Sequence, residues 1–535
     1  MINGNQNLTV CPLCGASTSF DDLTEANWLD PQVVARIAER NPGWQRSSGA
    51  CPACIQQVLL QALLEKGDAA LHNGIQSVWP LDAEAAFGAI PTPLRMHADP
   101  RFAGRGVTIA LLDSGFSPHP DLTIPRNRIR AWVDASREPL DARRFGADET
   151  PRWPGWDAAA AWQWHGLMTS AVAAGNGALR HGLYRGLASE AELVLIQVRD
   201  AAGHITNESI ARALHWLHEH SLALGVRVVS MSVSGDAVEP LAGNPVDEAV
   251  TALVADGVVV VAAAGNDGVR RLVPPATAPH ALTIGGLDDM NTLDHAAHTL
   301  WHSNYGSSGL GALKPELVAP SIWVVAPLLP GTTLAADAIA LFERRARGDI
   351  TIEGRIAEAK LVTPHYQHVD GTSFAAPLVA GTVACMIEAN PSLTPALVRD
   401  VLLAAAHPVA GAPLERQGAG ALEAGRAVAL ALREQHGALV DGTAEPRIAA
   451  DGVAFVLHEH DARSVQVLGS WDGWRAPGLL AEAVEPGIWR AMAALPPGQH
   501  VYKFLLDGVR WLDDPANVRK APDGLGGLNS LLRVT

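Results

Sequence analysis

The central part of the chain alternates short, continuous apolar runs with segments whose apolar residues recur at helical spacing. Apolar runs with few polar positions are typical of strands that are covered on both faces. Strands that alternate with amphipathic helices favour a parallel sheet with helical crossovers, so the pattern predicts an α/β fold. We predict strands over 107–112, 193–198, 227–232, 258–263 and 281–285, and helices over 209–219 and 246–255.

The pattern differs on both sides of this region. The N-terminal part contains two pairs of cysteines and a predicted helix over 55–66, and a Pro-containing linker at 89–93 follows. The stretch 327–363 interrupts the alternation with a charged helical segment around 342–345, and we expect a surface insertion there. Toward the C-terminus, brief strands, turns and aromatic residues predict a small β-sandwich. We therefore expect three domains, over residues 1–88, 89–435 and 445–535.

Composition and charge agree with a folded chain and exclude some functions. The 535 residues are too many for one core, and 48% are hydrophobic. The formal net charge of -16 disfavours binding to nucleic acid, to an anionic membrane or to acidic substrates. The N-terminus lacks a signal-peptide pattern, and we find no apolar run of the roughly 18 residues that a membrane span requires. We expect a cytoplasmic protein that neither binds nucleic acid nor spans a membrane.

Four motifs carry candidate catalytic side chains. The strand over 107–112 ends at Asp113, at the edge where α/β sheets place functional groups. His165 opens a helix of small apolar residues, and Ser373 lies where a turn enters an apolar helix whose N-terminus supplies partial positive charge. Asn266 follows another predicted strand and can donate to an oxyanion. Each residue alone also fits a turn or a helix cap.

Together, in the order Asp, His, Asn, Ser, these motifs resemble the subtilisin family, or subtilases, over about 91–430. Supporting segments, among them 119–122, 274–276 and 314–320, are similar to that family too. The resemblance implies a serine endopeptidase with the triad Asp113, His165 and Ser373, and with Asn266 and the Ser373 N–H at the oxyanion. It implies that the substrate is bound by Ser232, Val233 and Ser234 along the peptide and by Ala263, Ala264 and Gly265 in the primary pocket.

Two departures from the family pattern concern specificity. Leu167 stands where the family usually has Thr after the His–Gly pair, and Ser234 replaces a common Gly in the substrate strand. We expect a preference for small or medium apolar side chains. The predicted function is selective processing of a protein partner inside the cell, and the alternative is a catalytically silent scaffold or a glycan-anchored binding protein. Calcium, common in the family, is not assigned here because its ligands are mostly loop carbonyls.

The cysteines near the N-terminus predict a metal site. Cys11 and Cys14 form one tight pair, and Cys51 and Cys54 form the other. Four thiolates at this spacing can close a tetrahedral Zn²⁺ site, and the unit resembles a zinc ribbon or treble-clef finger with a structural ion. Two disulfides or free thiols are the alternative, which a reducing compartment disfavours. Cys385 lies apart, in a run predicted to be a buried helix.

The C-terminal segment resembles the early-set, glycogen-binding-like modules of isoamylases, branching enzymes and the regulatory subunit of AMP-activated protein kinase. The resemblance covers about 452–534, including 469–474, 495–498 and 502–504. It implies a β-sandwich that could bind an α-glucan, because aromatic faces stack on sugar rings and polar groups bond hydroxyls. In the alternative, the tryptophans are core residues of a module that binds only protein. The matching positions are Trp474, Lys503, Trp511 and Asn529.

Overall fold

The structure is a computed structural model, in which the chain forms two compact units. The first contains residues 1–395 and 407–429, and the second contains residues 396–406 and 430–535. The predicted helix over 55–66 lies almost entirely outside the described residues, and so do residues 59–87 and 436–445. The residues described are 8–15, 17–19, 31–51, 54, 58, 88–149, 151, 162–180, 182–237, 243–308, 312–435, 446–449, 452–459, 462–485, 487–496, 498–515, 517, 520–523 and 527–534.

The first unit begins with a small cysteine-containing part and continues into a large sheet. The cysteine-containing part has two short antiparallel strands and one helix, β1 (Leu8–Val10), β2 (Ser17–Ser19) and α1 (Pro31–Arg40). The remaining strands of the unit are β3 (Thr108–Asp113), β4 (Ile129–Asp134), β5 (Asp141–Arg144), β6 (Glu192–Gln197), β7 (Val226–Met231), β8 (Val259–Ala263), β9 (Leu282–Asp288), β10 (Thr299–Leu300), β11 (Gly306–Ser307), β12 (Leu313–Lys314), β13 (Leu317–Pro320), β14 (Val324–Pro327), β15 (Leu361–Thr363) and β16 (Tyr366–Val369).

The main sheet has nine strands in the order β10-β9-β8-β7-β3-β6-β4-β5, and β13 also pairs with β9. The central pairings are parallel, as predicted, and only the edge strands β5 and β10 run antiparallel. The five predicted strands correspond to β3, β6, β7, β8 and β9. The α/β class is therefore confirmed. The exposed, polar β5 was not predicted, because its pattern lacks an apolar face.

Helices cover the sheet and contribute to its core. The long helix α5 starts at a capping box formed by Thr206 and Ser209, and it ends at Gly225, whose φ of 65° suits a left-handed C-terminal residue. Pro245 at the first turn favours the start of α6. The helices from residue 88 onward are α2 (Thr92–Arg95), α3 (Pro120–Thr123), α4 (Gln163–Ala174), α5 (Asn207–Leu224), α6 (Pro245–Ala255), α7 (Thr333–Ala346), α8 (Glu353–Glu358), α9 (Thr372–Ala389), α10 (Pro395–Ala405), α11 (Leu414–Gln417) and α12 (Ala424–Gln435).

The helix α9 is the apolar helix that carries Ser373. Among the residues that the structure describes, it alone is long and apolar enough to cross a membrane, by length and composition only. However, 89% of the relevant window is buried inside the fold. A buried core helix passes the same hydropathy criterion, so α9 is weak evidence for a membrane span. Its burial holds the N-terminal turn of the helix firmly against the sheet.

A buried ion pair lies near the edge of the main sheet. Lys314 donates to Oε1 of Glu316 at 2.5 Å and to the carbonyl oxygen of Ala281 at 2.5 Å. The second carboxylate oxygen of Glu316 accepts from the backbone N–H of Thr283 at 2.8 Å. Both charged side chains are almost fully buried. Hydrogen bonds to the backbone offset part of the desolvation of the two charges, so the pair ties β12 and β13 to β9.

The predicted insertion over 327–363 contains α7, α8 and β15, and its helical segment lies where the sequence predicts it. These elements enclose a small apolar cluster of their own. The outer faces of α7 and α8 are mostly exposed. The buried members of the cluster are Leu328, Ala338, Leu341, Ile352, Ile356 and Leu361.

The second unit contains the predicted β-sandwich. One antiparallel sheet has the order β17-β18-β22-β21, and the other has the order β20-β19-β23-β26-β25, with β24 paired to β23. Apolar side chains from both sheets, including Phe455 and Tyr502, form one core. The strands are β17 (Arg447–Ala449), β18 (Gly452–His458), β19 (Val465–Gly469), β20 (Leu479–Leu480), β21 (Glu482–Glu485), β22 (Ile488–Ala493), β23 (Gly498–Leu506), β24 (Arg510–Leu512), β25 (Lys520–Pro522) and β26 (Leu528–Val534).

Candidate active site

The central feature of the candidate active site is a hydrogen bond between Asp113 and His165. Asp113 is the last residue of β3 and is fully buried, and His165 lies in the first turn of α4. The distance from Nδ1 of His165 to Oδ1 of Asp113 is 2.7 Å. A carboxylate in this position favours the tautomer that carries its proton on Nδ1, so Nε2 is left as a proton acceptor. The pair is suited to general-base catalysis.

Burial and charge act in opposite directions on His165. Burial lowers the pKa of the imidazole, whereas the charge of Asp113 and the hydrogen bond to it raise the pKa, and the net shift is upward. The carboxylate therefore stabilises the imidazolium that forms when the histidine accepts a proton. This is the electrostatic role that a triad requires of its acidic member.

Two neighbouring residues hold the Asp113 carboxylate in place. Thr169, one turn after His165 in α4, donates from Oγ1 to Oδ2 of Asp113 at 2.8 Å. Ser114 donates its backbone N–H at 2.6 Å and its hydroxyl at 3.1 Å to the other carboxylate oxygen. Thr169 was not predicted as a site residue, although its spacing of four residues from His165 puts both on one helix face. Leu167, the departure from the family pattern, is fully buried.

A glycine is required directly after His165. A Cβ atom on Gly166 would lie 2.1 Å from the carbonyl oxygen of Gly115 and 2.9 Å from Cδ1 of Phe116. Any side chain at this position would push the start of α4 away from the turn that follows Asp113. The close approach of these two backbones is therefore what brings the imidazole to the carboxylate.

Ser373 lies in the first turn of α9, directly behind Gly371 and Thr372. The Phe374 ring centroid is 5.8 Å from that of His165, and Ser232 donates from Oγ to the carbonyl oxygen of Ser373 at 2.8 Å. These contacts place the first turn of α9 near His165. The N-terminal end of α9 adds a partial positive charge beside the hydroxyl.

Asn266 follows β8, and Thr372 fixes the orientation of its amide. Oδ1 of Asn266 accepts from the Thr372 N–H at 3.0 Å and from the Thr372 hydroxyl at 2.8 Å. A Cβ atom on Gly371 would lie 3.4 Å from Nδ2 of Asn266 and 3.8 Å from the backbone N of Ser373. Both nitrogens therefore border one small space that a glycine leaves open. Two N–H donors around a space beside the nucleophile can stabilise an oxyanion.

Residues distant in sequence hold the Asn266 loop from the opposite side. Asn304 accepts from the N–H of Asp267 at 2.9 Å, and its own N–H donates to the carbonyl oxygen of Gly265 at 2.9 Å. Nδ1 of His302 lies 2.9 Å from the carbonyl oxygen of Asn266. Asn304 and His302 were not predicted as site residues, because no local sequence pattern links them to this loop.

A cleft of about 410 Å³ opens beside the Asp113–His165 pair. It includes the three residues predicted to lie along the peptide, whereas Ala263, Ala264 and Gly265 are not part of its lining. Those three follow β8 on the Asn266 side, where Gly265 donates its N–H to Thr372 at 3.1 Å. The residues predicted for the primary pocket therefore lie outside the lining of this cleft. The cleft is lined by Asp113, Ser114, Trp162, Trp164, His165, Arg199, Ile205, Ser232, Val233 and Ser234.

A second candidate site lies in the N-terminal part of the first unit. The Sγ atoms of Cys11, Cys14, Cys51 and Cys54 all lie within 4.8 Å of one another, and none is in a disulfide. The separations are 3.9 Å for Cys11–Cys54 and 3.7 Å for Cys14–Cys51. Four sulfurs at about 2.3 Å from a tetrahedral ion would be about 3.8 Å apart, so the donor set fits Zn²⁺. The predicted clustering of these cysteines is confirmed.

Backbone groups support this cysteine cluster. The N–H of Cys51 donates to Sγ of Cys11 at 3.4 Å, and the N–H of Gly15 donates to the Cys11 carbonyl oxygen at 2.9 Å. Burial raises the pKa of Cys11, but backbone hydrogen bonds outweigh it and lower the value to about 7. Among the described residues, this is the one group of three or more potential ligands that converges.

The predicted sugar-binding residues occupy one face of the C-terminal sandwich. The Trp474 and Trp511 rings are 6.1 Å apart between centroids, and Trp511 is 47% exposed, so it is no core residue. The register pairs Leu505 with Trp511 and Tyr502 with Ser530, which puts Lys503 and Asn529 on the same sheet face as Trp511. Lys503 bonds Asp523 at 2.5 Å, and Asn529 is largely buried. The exposed aromatic side chain of this face is therefore Trp511, with the half-buried Trp474 beside it.

The sheet, the central helix and the Asp–His–Ser arrangement define a subtilisin-like α/β protein. The sequence model of the protein family described as "Subtilase family" matches residues 104–420, which is more than half of the chain. The chain belongs to the subtilase family. A second model, described as "Glycogen recognition site of AMP-activated protein kinase", matches residues 454–535. The C-terminal sandwich is therefore similar to a known carbohydrate-recognition module.

Individual relatives agree with the family assignment. Serine protease AprX from Bacillus subtilis (strain 168) is 28% identical over 307 residues, which cover 56% of this chain and 61% of AprX. The chain therefore spans less than two thirds of AprX. Subtilisin Savinase from Lederbergia lenta is 27% identical over 300 residues, which cover 56% of this chain and 82% of Savinase.

Solved structures also show similarity to this chain. A protease from Pseudoalteromonas arctica superposes with a TM-score of 0.44 and 21% identity, covering 64% of this chain and 93% of that one. The prenylagaramide maturation protease PagA superposes with a TM-score of 0.42 and 18% identity, covering 61% of this chain and 93% of that one. The family assignment rests on the sequence matches and not on these superpositions.

Proposed function

We propose that the protein is a serine endopeptidase. Ser373 is the nucleophile, His165 is the general base, and Asp113 orients His165 and stabilises the imidazolium. The single observation that carries the proposal is the 2.7 Å bond from Nδ1 of His165 to Asp113, in a family whose curated members include serine proteases. Asn266 and the backbone N–H of Ser373 are the oxyanion donors. Their convergence beside Gly371 supports these roles.

The reaction follows from these roles. His165 accepts the Ser373 proton through Nε2 while the serine Oγ attacks the scissile carbonyl, and the oxyanion receives hydrogen bonds from Asn266 and the Ser373 N–H. The imidazolium then delivers its proton to the leaving amine, and an acyl-enzyme remains. Water, deprotonated by the same histidine, hydrolyses the acyl-enzyme and regenerates the serine. The segment 232–234 pairs with the extended peptide, and the residues 263–265 form the primary pocket.

Covalent labelling tests the proposal directly. The full-length protein, kept with its metal, is treated with a fluorophosphonate probe, and we expect stoichiometric labelling of wild type. Ser373→Ala abolishes the labelling, whereas the exposed Ser392→Ala, outside the site, retains it. A folded wild-type protein that stays unlabelled would contradict the endopeptidase proposal and favour the alternative of a silent scaffold.

The biological role in this proposal is selective processing of a protein partner in the cytoplasm. Four free thiols held near one another for a metal favour a reducing compartment, and this supports the location. Comparison of new N-termini in cell lysate treated with wild type or with Ser373→Ala tests selectivity. We expect one or a few enriched cleavage sites. Broad digestion of the lysate would contradict selective processing and leave the endopeptidase proposal intact.

The cysteine cluster is proposed to hold one structural Zn²⁺. The support is the set of four thiols at separations that a tetrahedral ion requires. When bound, zinc would crosslink the two cysteine turns, and it has no part in peptide hydrolysis. Elemental analysis of the purified protein should give one zinc per chain. A folded protein with no zinc, or with disulfides in mass spectra after thiol blocking, would contradict the assignment.

A second function is proposed for the C-terminal module, which we infer binds an α-glucan through Trp474 and Trp511. The specific observation is the exposed Trp511 beside the half-buried Trp474, on a sandwich that matches a glycogen-recognition model. Sedimentation of the full-length protein with glycogen tests it. We expect Trp511→Ala to weaken binding about tenfold and Trp511→Phe to retain most of it, because stacking needs an aromatic face. Equal sedimentation of both variants would contradict this role.

A further inference from the structure

The wall of the active-site cleft carries a positive charge that the proposed hydrolysis does not use. Arg199 lines the cleft together with Trp162 and Trp164. Cζ of Arg199 lies 5.4 Å from the Trp162 ring centroid, so the guanidinium lies against an aromatic ring. The net charge of -16 describes the whole chain, and this part of the cleft departs from that average.

The guanidinium of Arg199 has few hydrogen-bond partners. Nη1 donates to the carbonyl oxygen of Asp200 at 3.4 Å, a long bond, and no carboxylate of a described residue lies within ion-pair distance. The Asp200 carboxylate instead accepts from the N–H of His204 at 2.8 Å. The loop backbone at Gly203 packs close to the guanidinium, because a Cβ there would lie 2.9 Å from Nη2. The guanidinium of Arg199 is therefore held in place by its neighbours, and it retains N–H donors that can bind a ligand.

The position of the cleft indicates which substrate side chain enters it. His165 and the segment 232–234 both line the cleft, so it adjoins the scissile bond and the bound peptide. In the proposed function, the side chain before the scissile bond enters the separate primary pocket at 263–265. Consecutive side chains of an extended peptide point to opposite faces. The second residue before the scissile bond therefore points toward the cleft that contains Arg199.

We propose that Arg199 determines specificity and that the enzyme prefers an acidic side chain at the second position before the scissile bond. This inference rests on the proposed endopeptidase function. A substrate carboxylate would receive charge-assisted hydrogen bonds from the guanidinium, and Trp162 and Trp164 would cover its aliphatic stem. The local charge of the cleft thus opposes the expectation, drawn from the net charge, that acidic substrates are disfavoured.

Matched fluorogenic peptides test this proposal. The peptides are identical except for Glu, Gln or Lys at the second position before the cleaved bond, and fluorophosphonate titration gives the concentration of active enzyme. We expect kcat/KM for the Glu peptide to exceed that for the Gln peptide about tenfold, a difference of about 1.4 kcal/mol. The ratio should fall as NaCl is added, because salt screens partly exposed charges.

Variants of the full-length protein assign the preference to Arg199. Arg199→Gln should bring the Glu-to-Gln ratio close to one, Arg199→Lys should retain part of it, and Arg199→Glu should favour the Lys peptide. Arg355→Gln, an exposed arginine on the insertion, is the matched control and should keep the wild-type ratio. Labelling of each variant by the fluorophosphonate probe shows that its active site is folded.

Each outcome bears on one of the two proposals. A wild-type enzyme that is labelled and cleaves peptides, yet shows no Glu preference, would overturn this inference alone. A Glu preference unchanged in labelled Arg199→Gln would overturn the role of this arginine. Wild-type protein that the probe does not label would overturn the proposed endopeptidase and this inference with it.

Discussion

Replacement of Thr372 by valine tests whether the oxyanion donor and its support act as one unit. Valine keeps the shape of threonine and removes only the hydroxyl, which donates to Oδ1 of Asn266 at 2.8 Å and accepts from the N–H of Gly265 at 3.1 Å. The backbone N–H of residue 372 still reaches Asn266, at 3.0 Å. The substitution should therefore loosen the amide without removing it from the site.

The expected size of the effect follows from these bonds. One neutral hydrogen bond contributes about 0.5–1.5 kcal/mol, so Thr372→Val should lower kcat by about 2–13-fold. Asn266→Ala removes the oxyanion donor itself and should lower kcat by about 10²–10³. In the Asn266→Ala background the hydroxyl has no amide to orient, so the valine should lower kcat by less than about twofold. The coupling energy of the two substitutions is then about 1 kcal/mol.

A double-mutant cycle measures this coupling. The kcat and KM of wild type, both single variants and the double variant are determined with one fluorogenic peptide, after titration of active sites. KM should change little, because the oxyanion exists only in the transition state and the intermediate. Thr382→Val is the matched control, since its buried hydroxyl donates to the Leu378 carbonyl oxygen within the same helix, away from Asn266. Equal losses of kcat from Thr372→Val in both backgrounds would show that the two residues act independently and would contradict the coupling.

Further predictions concern the base, the ion pair and the metal site. The kcat/KM should rise with pH through the raised pKa of His165, so its acidic midpoint should exceed the usual 6.5, and a lower midpoint would contradict the described charge balance. Thr169→Val removes the hydroxyl that donates to Asp113, so the negative charge of this carboxylate should act more strongly on His165. The acidic midpoint of kcat/KM should then move to a still higher pH, and kcat/KM should fall about 3–10-fold. Lys314→Met leaves Glu316 buried without its charge partner and should lower the free energy of unfolding by about 3–5 kcal/mol in urea titrations, whereas an unchanged value would mean that the pair is dispensable. Cys51→Ser should abolish stoichiometric zinc in elemental analysis, and full retention would contradict four-thiolate binding.

The central strands of the fold could be predicted because a strand that is buried on both faces has an almost continuous run of apolar residues. Continuous apolar runs gave boundaries within a few residues of those observed for β3, β6, β7, β8 and β9. The strands β4 and β5 were not predicted. β5 is short, polar and largely exposed, so only its pairing with β4 distinguishes it from a loop. The two strands form a local hairpin at the sheet edge, where backbone pairing needs no apolar face, so the pattern of apolar residues does not record it.

In the candidate active site, too, some residues could be predicted from the sequence and others could not. Asp113, His165, Asn266 and Ser373 could be named from sequence because each begins or ends an element with a motif of its own. Their supporting residues could not, since a threonine or asparagine has a role here only through the atoms that it meets. Asn304 lies far along the chain from the loop that it holds, and Arg199 has no neighbouring motif.

Residue types, their spacing and their order were enough to determine the class of the fold, the family and the chemical groups of the candidate triad. The folded structure was needed to show that Thr169 holds the triad carboxylate, that Thr372 orients the Asn266 amide, and that the cysteines form one cluster. It was also needed to show that an arginine lines the cleft of an acidic protein. Hydrogen bonds and local charge act over a few ångströms, and only folding brings residues from distant segments within that range.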